Sequence, residues 1–150
     1  LRMSDDDFST VIDTNLKGSY RVAQRATRTM LRARWGRLIF VSSVVGLLGS
    51  AGQANYAASK AGLVGLARSM ARELGSRNIT ANIVSPGPVA TEMLDALTED
   101  QRSAITEQVP LKRVAEPQEI AETILFLASE AAGYITGAVI PIDGGLGMGH

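Results

Sequence analysis

Two short strand-like runs, separated by a helical pattern, constrain the fold of this chain most strongly. Residues 38–41 are continuously apolar, and residues 79–84 are rich in strand-forming residues, as expected of strands that are covered on both faces. Between them, residues 54–74 combine good helix formers with small residues such as Ala58, Gly62 and Gly65. Because neighbouring parallel strands need a crossover, this order predicts an α/β fold with a parallel sheet.

Two further helical patterns and one further strand extend this arrangement. Ser4 and Asp7 form a capping-box pattern that opens an amphipathic helix running to about residue 33. One face of that helix carries Phe8, Val11, Ile12, Asn15, Leu16 and Tyr20. Pro117 begins a third helix, and residues 139–142 form the last strand, in which Pro141 favours an edge position.

The glycine-rich segments do not form a phosphate-binding turn. The loop over residues 46–52 is too wide to bring a helix N-terminus to a pyrophosphate, and no helix follows the glycines of residues 144–149. Pro86-Gly87 ends the second strand, and the polar stretch from there to about residue 115 is predicted to be mobile. The length and composition predict one domain over residues 1–150.

Composition excludes several classes of function. Fifteen basic side chains balance fifteen acidic ones, so no strong field favours nucleic acid or an anionic membrane. There is no cysteine, no signal-peptide pattern and no run of about 18 apolar residues. With His150 as the single histidine, histidine triads and metal clusters have too few parts. We expect a cytoplasmic protein without a membrane span, a metal or a nucleic-acid partner.

Tyr56 and Lys60 are the first candidates for chemistry. They lie four residues apart on a predicted helix, so their side chains share a face. An ammonium beside a phenol favours the phenolate and lowers the phenol pKa towards values useful for acid–base work. On spacing alone, however, such a pair is more often a solvated or packing contact.

Three polar residues could complete a site with this pair. Ser42 and Ser43 directly follow the first strand, and ligands of open α/β sheets bind at the carboxyl ends of strands. Serines also end strands routinely, so this interpretation requires the helix of Tyr56 to pack beside that strand end. Asn15 lies on an apolar helix face, where a buried amide needs partners, although a local helix bend would explain it equally well.

Taken together, the motifs resemble those of the short-chain dehydrogenase/reductase family, and specifically of its 3-oxoacyl-[acyl-carrier-protein] reductases. The resemblance runs through the whole chain, and its tail is similar to that of the mycolic-acid-pathway type. The matching segments are residues 15–18, 39–43, 53–62, 82–87, 134–137, 143–145 and 147–150.

The resemblance implies a set of catalytic residues. Tyr56 would protonate the developing alkoxide, and Ser43, thirteen positions earlier, would donate a hydrogen bond to the same oxygen. Lys60 would hold the nicotinamide ribose and pass protons inward through a water held by Asn15. Ser43 is therefore preferred to Ser42. Tyr56, Lys60 and Asn15 would also contact the cofactor.

The resemblance further implies a cofactor site and a lid. Pro86, Gly87, Val89 and Thr91 would hold the nicotinamide carboxamide, with Val89 acting through its backbone. Residues 88–115 would form a lid over the acyl chain, with Met93, Leu94 and Leu97 in its central part. NADPH is the favoured cofactor and NADH is not excluded.

The resemblance also implies that this sequence is the C-terminal half of a Rossmann-like doubly wound sheet, with three strands, three main helices and the lid. We expect the 150 residues alone to have little or no activity, because the nucleotide-binding half is absent from them. The intact protein is expected to reduce 3-oxoacyl groups on acyl-carrier protein as a homotetramer. Alternatives are another family member acting on a sugar, steroid or small alcohol, and a non-catalytic oligomerisation fragment.

Overall fold

The computed structural model describes residues 2–148, except for the side chains of Met93 and Asp95. The tail residues Gly149 and His150 therefore lie outside the described part. Three parallel strands form one sheet in the order β1-β2-β3. They are β1 (Gly36–Val41), β2 (Ile79–Pro86) and β3 (Val139–Ile142). The predicted α/β fold with a parallel sheet is confirmed.

Helices cover both faces of the sheet. They are α1 (Asp5–Ile12), α2 (Gly18–Ala33), α3 (Val45–Leu48), α4 (Ala54–Leu74), α5 (Glu92–Asp95), α6 (Glu99–Gln108) and α7 (Pro117–Ala128). One buried cluster joins β1 and β2 to α2 and α4, with Phe40, Leu63 and Ile83 at its centre. A second cluster joins the opposite face to α7 through Val84 and Leu127. Strand β2 is consequently buried along nearly its whole length.

The long first helix is interrupted by a π-helical segment, Asp13–Lys17, between α1 and α2. Its predicted start is confirmed, because Ser4 and Asp7 form a complete capping box. The predicted apolar face is buried only in part: Phe8 and Tyr20 remain 41% and 44% exposed. Helix α4 packs against α1 and the π-helical segment but leaves these two aromatic side chains partly exposed.

The polar stretch after Pro86 contains two helices, α5 and α6, that the sequence analysis did not predict. Thr98 caps α6: its hydroxyl accepts from the Gln101 N–H, and the Gln101 side chain accepts from the Thr98 N–H. The sequence pattern was missed because α6 is mostly polar and buries no residue fully. Its helix therefore depends on local capping more than on an apolar face.

The segment before β3 is held to β2 by a buried amide. Asn82, which is fully buried, donates from Nδ2 to the Ile135 carbonyl at 2.8 Å and accepts the Ala138 N–H at 3.1 Å. The Thr136 hydroxyl accepts the Ala81 N–H at 3.1 Å. These bonds set the position from which β3 starts.

Both outer strands of the described sheet pair on one side only. Strand β3 pairs with β2 and carries Pro141, as predicted for an edge position. Strand β1 also pairs only with β2 among the described residues, and its Val41 is 47% exposed. Within residues 2–148, no helix is long and apolar enough to cross a membrane.

Candidate active site

Tyr56 and Lys60 lie in the first turns of α4 and share a face, as their spacing predicted. The Lys60 ammonium nitrogen is 5.6 Å from the centre of the Tyr56 ring. It also donates to the backbone carbonyl of Val41, at the carboxyl end of β1, at 2.9 Å. Both side chains are partly buried. Burial lowers the pKa of Lys60 below its ordinary value of 10.5, because the charged form loses water.

The end of β1 packs directly beside these two residues. The Ser42 hydroxyl donates to the Lys60 carbonyl at 2.9 Å, which joins strand and helix. On the following helix α3, a Cβ added to Gly46 would lie 2.9 Å from Lys60 Cβ. The sequence interpretation of the serines required this packing, and the structure shows it.

The two serines have different hydrogen-bond partners. Ser42 is buried and its hydroxyl is used by the backbone of α4. Ser43 Oγ instead accepts the Val45 N–H at 3.2 Å, and among the described residues no acceptor is recorded for its hydroxyl hydrogen. Ser43 can therefore donate to a ligand atom, whereas Ser42 holds the site together.

Asn15 lies inside the π-helical segment and reaches α4. Its Nδ2 donates to Ser59 Oγ at 3.1 Å, and its carbonyl accepts from the Ser19 hydroxyl at 2.6 Å. Short π-helical segments are frequent at functional sites. From the sequence, a partner for the Asn15 amide and a local helix irregularity were alternative explanations. In the structure both occur, and the Asn15 side chain is partly buried.

Pro86 and Gly87 lie at the carboxyl end of β2, one strand away from Ser42. The Gly87 N–H donates to the Ile142 carbonyl at 3.0 Å. A Cβ at Gly87 would lie 2.8 Å from Asp143 Cα, so this turn accepts only glycine without moving β3. Asp143 is itself held, because its carboxylate accepts the N–H groups of Gly145 and Gly147 at 2.9 and 2.8 Å.

Val89 and Thr91 follow this turn, at the start of the predicted lid segment over residues 88–115. Val89 forms a parallel bridge with Ala115, which ties the start of the lid segment to its end. The Thr91 hydroxyl donates to the Val89 carbonyl at 3.4 Å, and Thr91 precedes α5 as its N-cap. Within the predicted lid segment, Leu94 is buried and Leu97 half-buried, while the side chain of Met93 lies outside the described part.

An ion pair fixes the junction between the predicted lid segment and α7. Arg113 contacts both carboxylate oxygens of Glu119 at 2.6 and 2.7 Å. The Glu119 carboxylate also accepts the Glu116 N–H at 2.8 Å. These hydrogen bonds lower the pKa of Glu119 to about 2, and the bond from Arg113 contributes most.

The sequence that forms this site matches that of a known family. A sequence model of the family described as Enoyl-(Acyl carrier protein) reductase matches residues 1–147. The chain belongs to this family of short-chain dehydrogenases/reductases.

Named relatives within this family of dehydrogenases/reductases agree along the whole chain. The 3-oxoacyl-[acyl-carrier-protein] reductase MabA of Mycobacterium tuberculosis H37Rv is 55% identical over 150 residues. The reductases FabG of Pseudomonas aeruginosa and of Escherichia coli K12 are 51% and 48% identical over 148 residues. The match covers 99–100% of this chain but only 60–61% of these relatives. The chain thus spans about three fifths of the length of the curated relatives it matches.

Sequence reasoning missed two residues that the structure places against Tyr56. Ser59 is fully buried and donates to the Tyr56 carbonyl at 2.7 Å. Asn55 Oδ1 accepts the Tyr56 N–H at 2.8 Å. Both are adjacent to candidate residues in the sequence, but nothing in their spacing showed which partners they would meet.

Proposed function

We propose that the protein containing this chain reduces the 3-oxo group of an acyl thioester carried on acyl-carrier protein. The observation that carries the proposal is the Lys60 ammonium beside the Tyr56 ring, next to the end of β1 where Ser43 has a hydroxyl free to donate. The thioester substrate is taken from the printed names of the relatives.

The residues present fit the nicotinamide side of an NADPH site. Lys60 has three ammonium donors, and its one recorded bond, to the Val41 carbonyl, leaves donors for ribose hydroxyls. The turn at Gly87 brings backbone groups close to β3 without a side chain in the way. When bound, the cofactor supplies hydride. Pro86, Gly87, Val89 and Thr91 would contact its carboxamide, and Asn15, Tyr56 and Lys60 would face its ribose.

The proton side of the reaction follows from the chain's own groups. Tyr56 donates its hydroxyl proton to the substrate oxygen as negative charge develops there. Ser43 donates a hydrogen bond to the same oxygen and stabilises that charge. The Lys60 ammonium stabilises the resulting phenolate and returns a proton to it, with Asn15 holding the water through which that proton arrives.

We further propose that the 150 residues alone have little or no reductase activity. The groups above hold one end of a dinucleotide, and the relatives devote the remaining two fifths of their length to other parts. The intact protein is proposed to be a cytoplasmic homotetramer that prefers NADPH.

A chimera tests the function. The chain would be joined to the part of the M. tuberculosis relative outside the matched region, and NADPH oxidation would be followed with an acetoacetyl thioester. We expect activity in the chimera, and Tyr56→Phe should lower kcat by about 10²–10⁴-fold, because the proton donor is lost. The control Tyr134→Phe should leave kcat unchanged, since Tyr134 is fully exposed.

Three results would count against these proposals. An active Tyr56→Phe chimera would remove Tyr56 from the chemistry. Faster reduction of a sugar, steroid or small alcohol than of the thioester would overturn the proposed substrate. Full activity of the 150-residue chain alone would contradict the proposed need for the rest of the domain.

A further inference from the structure

The backbone of Tyr56 is bonded on both sides to side chains that reach the first helix. Helix α4 begins at Ala54, and its first intrahelical bond runs from the Ala57 N–H to the Gln53 carbonyl at 2.8 Å. The Tyr56 N–H therefore belongs to the first turn, where backbone donors lack a helical acceptor. Its partner must come from elsewhere.

Asn55 supplies that partner and also forms a hydrogen bond to α1. Asn55 Oδ1 accepts the Tyr56 N–H at 2.8 Å, and Asn55 Nδ2 donates to the Asp7 carbonyl at 3.3 Å. A residue that merely capped α4 would need only the first of these bonds. The second joins the start of α4 to α1.

Ser59 joins the carbonyl of Tyr56 to the first helix in the same way. Its hydroxyl donates to the Tyr56 carbonyl at 2.7 Å and accepts from Asn15 Nδ2 at 3.1 Å. Ser59 is fully buried, so water does not easily replace either bond. Elsewhere on α4, Ser69 donates to the Gly65 carbonyl at 2.9 Å from an exposed position, and no contact with another helix is recorded for its hydroxyl.

We propose that Asn55 and Ser59 are positioning residues that clamp the backbone of Tyr56 to the first helix, at Asp7 and at Asn15. The clamp fixes the angle at which the Tyr56 ring leaves α4 and so keeps it beside Lys60. The proposal deepens the proposed function, because it concerns how the candidate proton donor is held. It also assigns the Asn15 side chain to the clamp.

The test is an NMR measurement on the 150-residue chain with labelled tyrosine and lysine. The readout is the nuclear Overhauser cross-peak between the Tyr56 ring and the Lys60 side chain, with Tyr20 and Tyr134 as internal references. Urea denaturation of each variant reports global stability separately. No catalytic activity is needed, so the clamp can be judged even if the proposed reaction fails.

We expect Asn55→Ala and Ser59→Ala to lose most of this cross-peak, while Ser69→Ala keeps it. The variant Asn55→Asp separates capping from clamping, because it retains an acceptor for the Tyr56 N–H but cannot donate to α1. It should lose the cross-peak too. If Ser59→Ala does not fold, Asn55→Ala and Asn55→Asp still test the clamp, because Asn55 is partly exposed.

Two outcomes overturn the proposal. A wild-type cross-peak in Asn55→Asp would make Asn55 a helix cap and nothing more. Equal losses in Ser69→Ala and Ser59→Ala would show that any missing hydroxyl on α4 loosens the site.

Discussion

Replacing Gly46 with alanine should push α3 away from the candidate site. Helix α3 follows Ser43 directly and packs on α4 at Lys60. A Cβ at Gly46 would lie 2.9 Å from Lys60 Cβ and 3.0 Å from the backbone nitrogen of Ala61. Two of the nearest three atoms belong to the backbone of α4, so no rotation of a flexible side chain relieves the contact.

The size of the effect follows from these distances. Carbon atoms pack at about 3.5–4.0 Å, so α3 must move by roughly 0.6–1 Å. Forcing an extra methyl group into a packed site costs about 1–3 kcal/mol. Alanine also favours a helix over glycine by roughly 0.5–1 kcal/mol. Gly65→Ala on α4 is the matched control, because no atom lies within 4 Å of its added Cβ.

Urea denaturation of both variants checks the reasoning. Gly65→Ala should be more stable than the wild type, and Gly46→Ala should be less stable than Gly65→Ala by about 1–3 kcal/mol, since the helix contribution largely cancels in the comparison. In the active chimera, Gly46→Ala should lower kcat by up to about 10²-fold through misplacement of the Ser43–Lys60 region. Equal stability of the two variants would refute the argument from close packing.

Three further predictions concern buried bonds and titration. Asn82→Leu leaves two partly buried backbone groups, those of Ile135 and Ala138, without their partner and should cost about 2–6 kcal/mol in urea denaturation. Thr136→Val leaves only the Ala81 N–H without its partner and should cost about 1–3 kcal/mol. Equal losses in the two variants would contradict this. Because Arg113 lowers the pKa of Glu119 from 4.5 to about 2, the stability from this pair is complete above pH 4.5 and is lost as the pH falls through about 2. The difference in stability between the wild type and Glu119→Gln should therefore close as acid is added, and a constant difference would count against the pair. Burial lowers the pKa of Lys60 below its ordinary value of 10.5, so its ¹³Cε resonance should titrate below that value. A midpoint at or above 10.5 would show that Lys60 is fully hydrated.

Local patterns predicted much of the fold because they depend on neighbours in the sequence. The capping box at Ser4, the proline start of α7 and the buried strand β2 all follow from short-range spacing. Helix α6 was missed because it is polar, and apolar periodicity is the signal that sequence reasoning uses. Helix α4 ends at Leu74 with Gly75 at its C-cap. A short 3₁₀ turn, Gly75–Arg77, then leads to Asn78, which takes the left-handed position with φ of 59°.

The candidate site was predictable only in part, for a related reason. Tyr56 and Lys60 share a helix face at any tertiary arrangement, since four residues make about one turn. Asn15 meets Ser59 across 44 positions in the chain, and no local pattern encodes such a contact.

By itself, the sequence determined the parallel α/β order, the family and the pairing of Tyr56 with Lys60. These properties rest on residue types, on their spacing and on the order of the elements along the chain. Only the tertiary structure decided that Ser42 holds α4 while Ser43 keeps a hydroxyl hydrogen to donate. It alone also showed that the Lys60 ammonium meets β1 at Val41. The contacts of Ser42 and Lys60 join β1 to α4, so they depend on how helix and strand pack, which is set by the whole core.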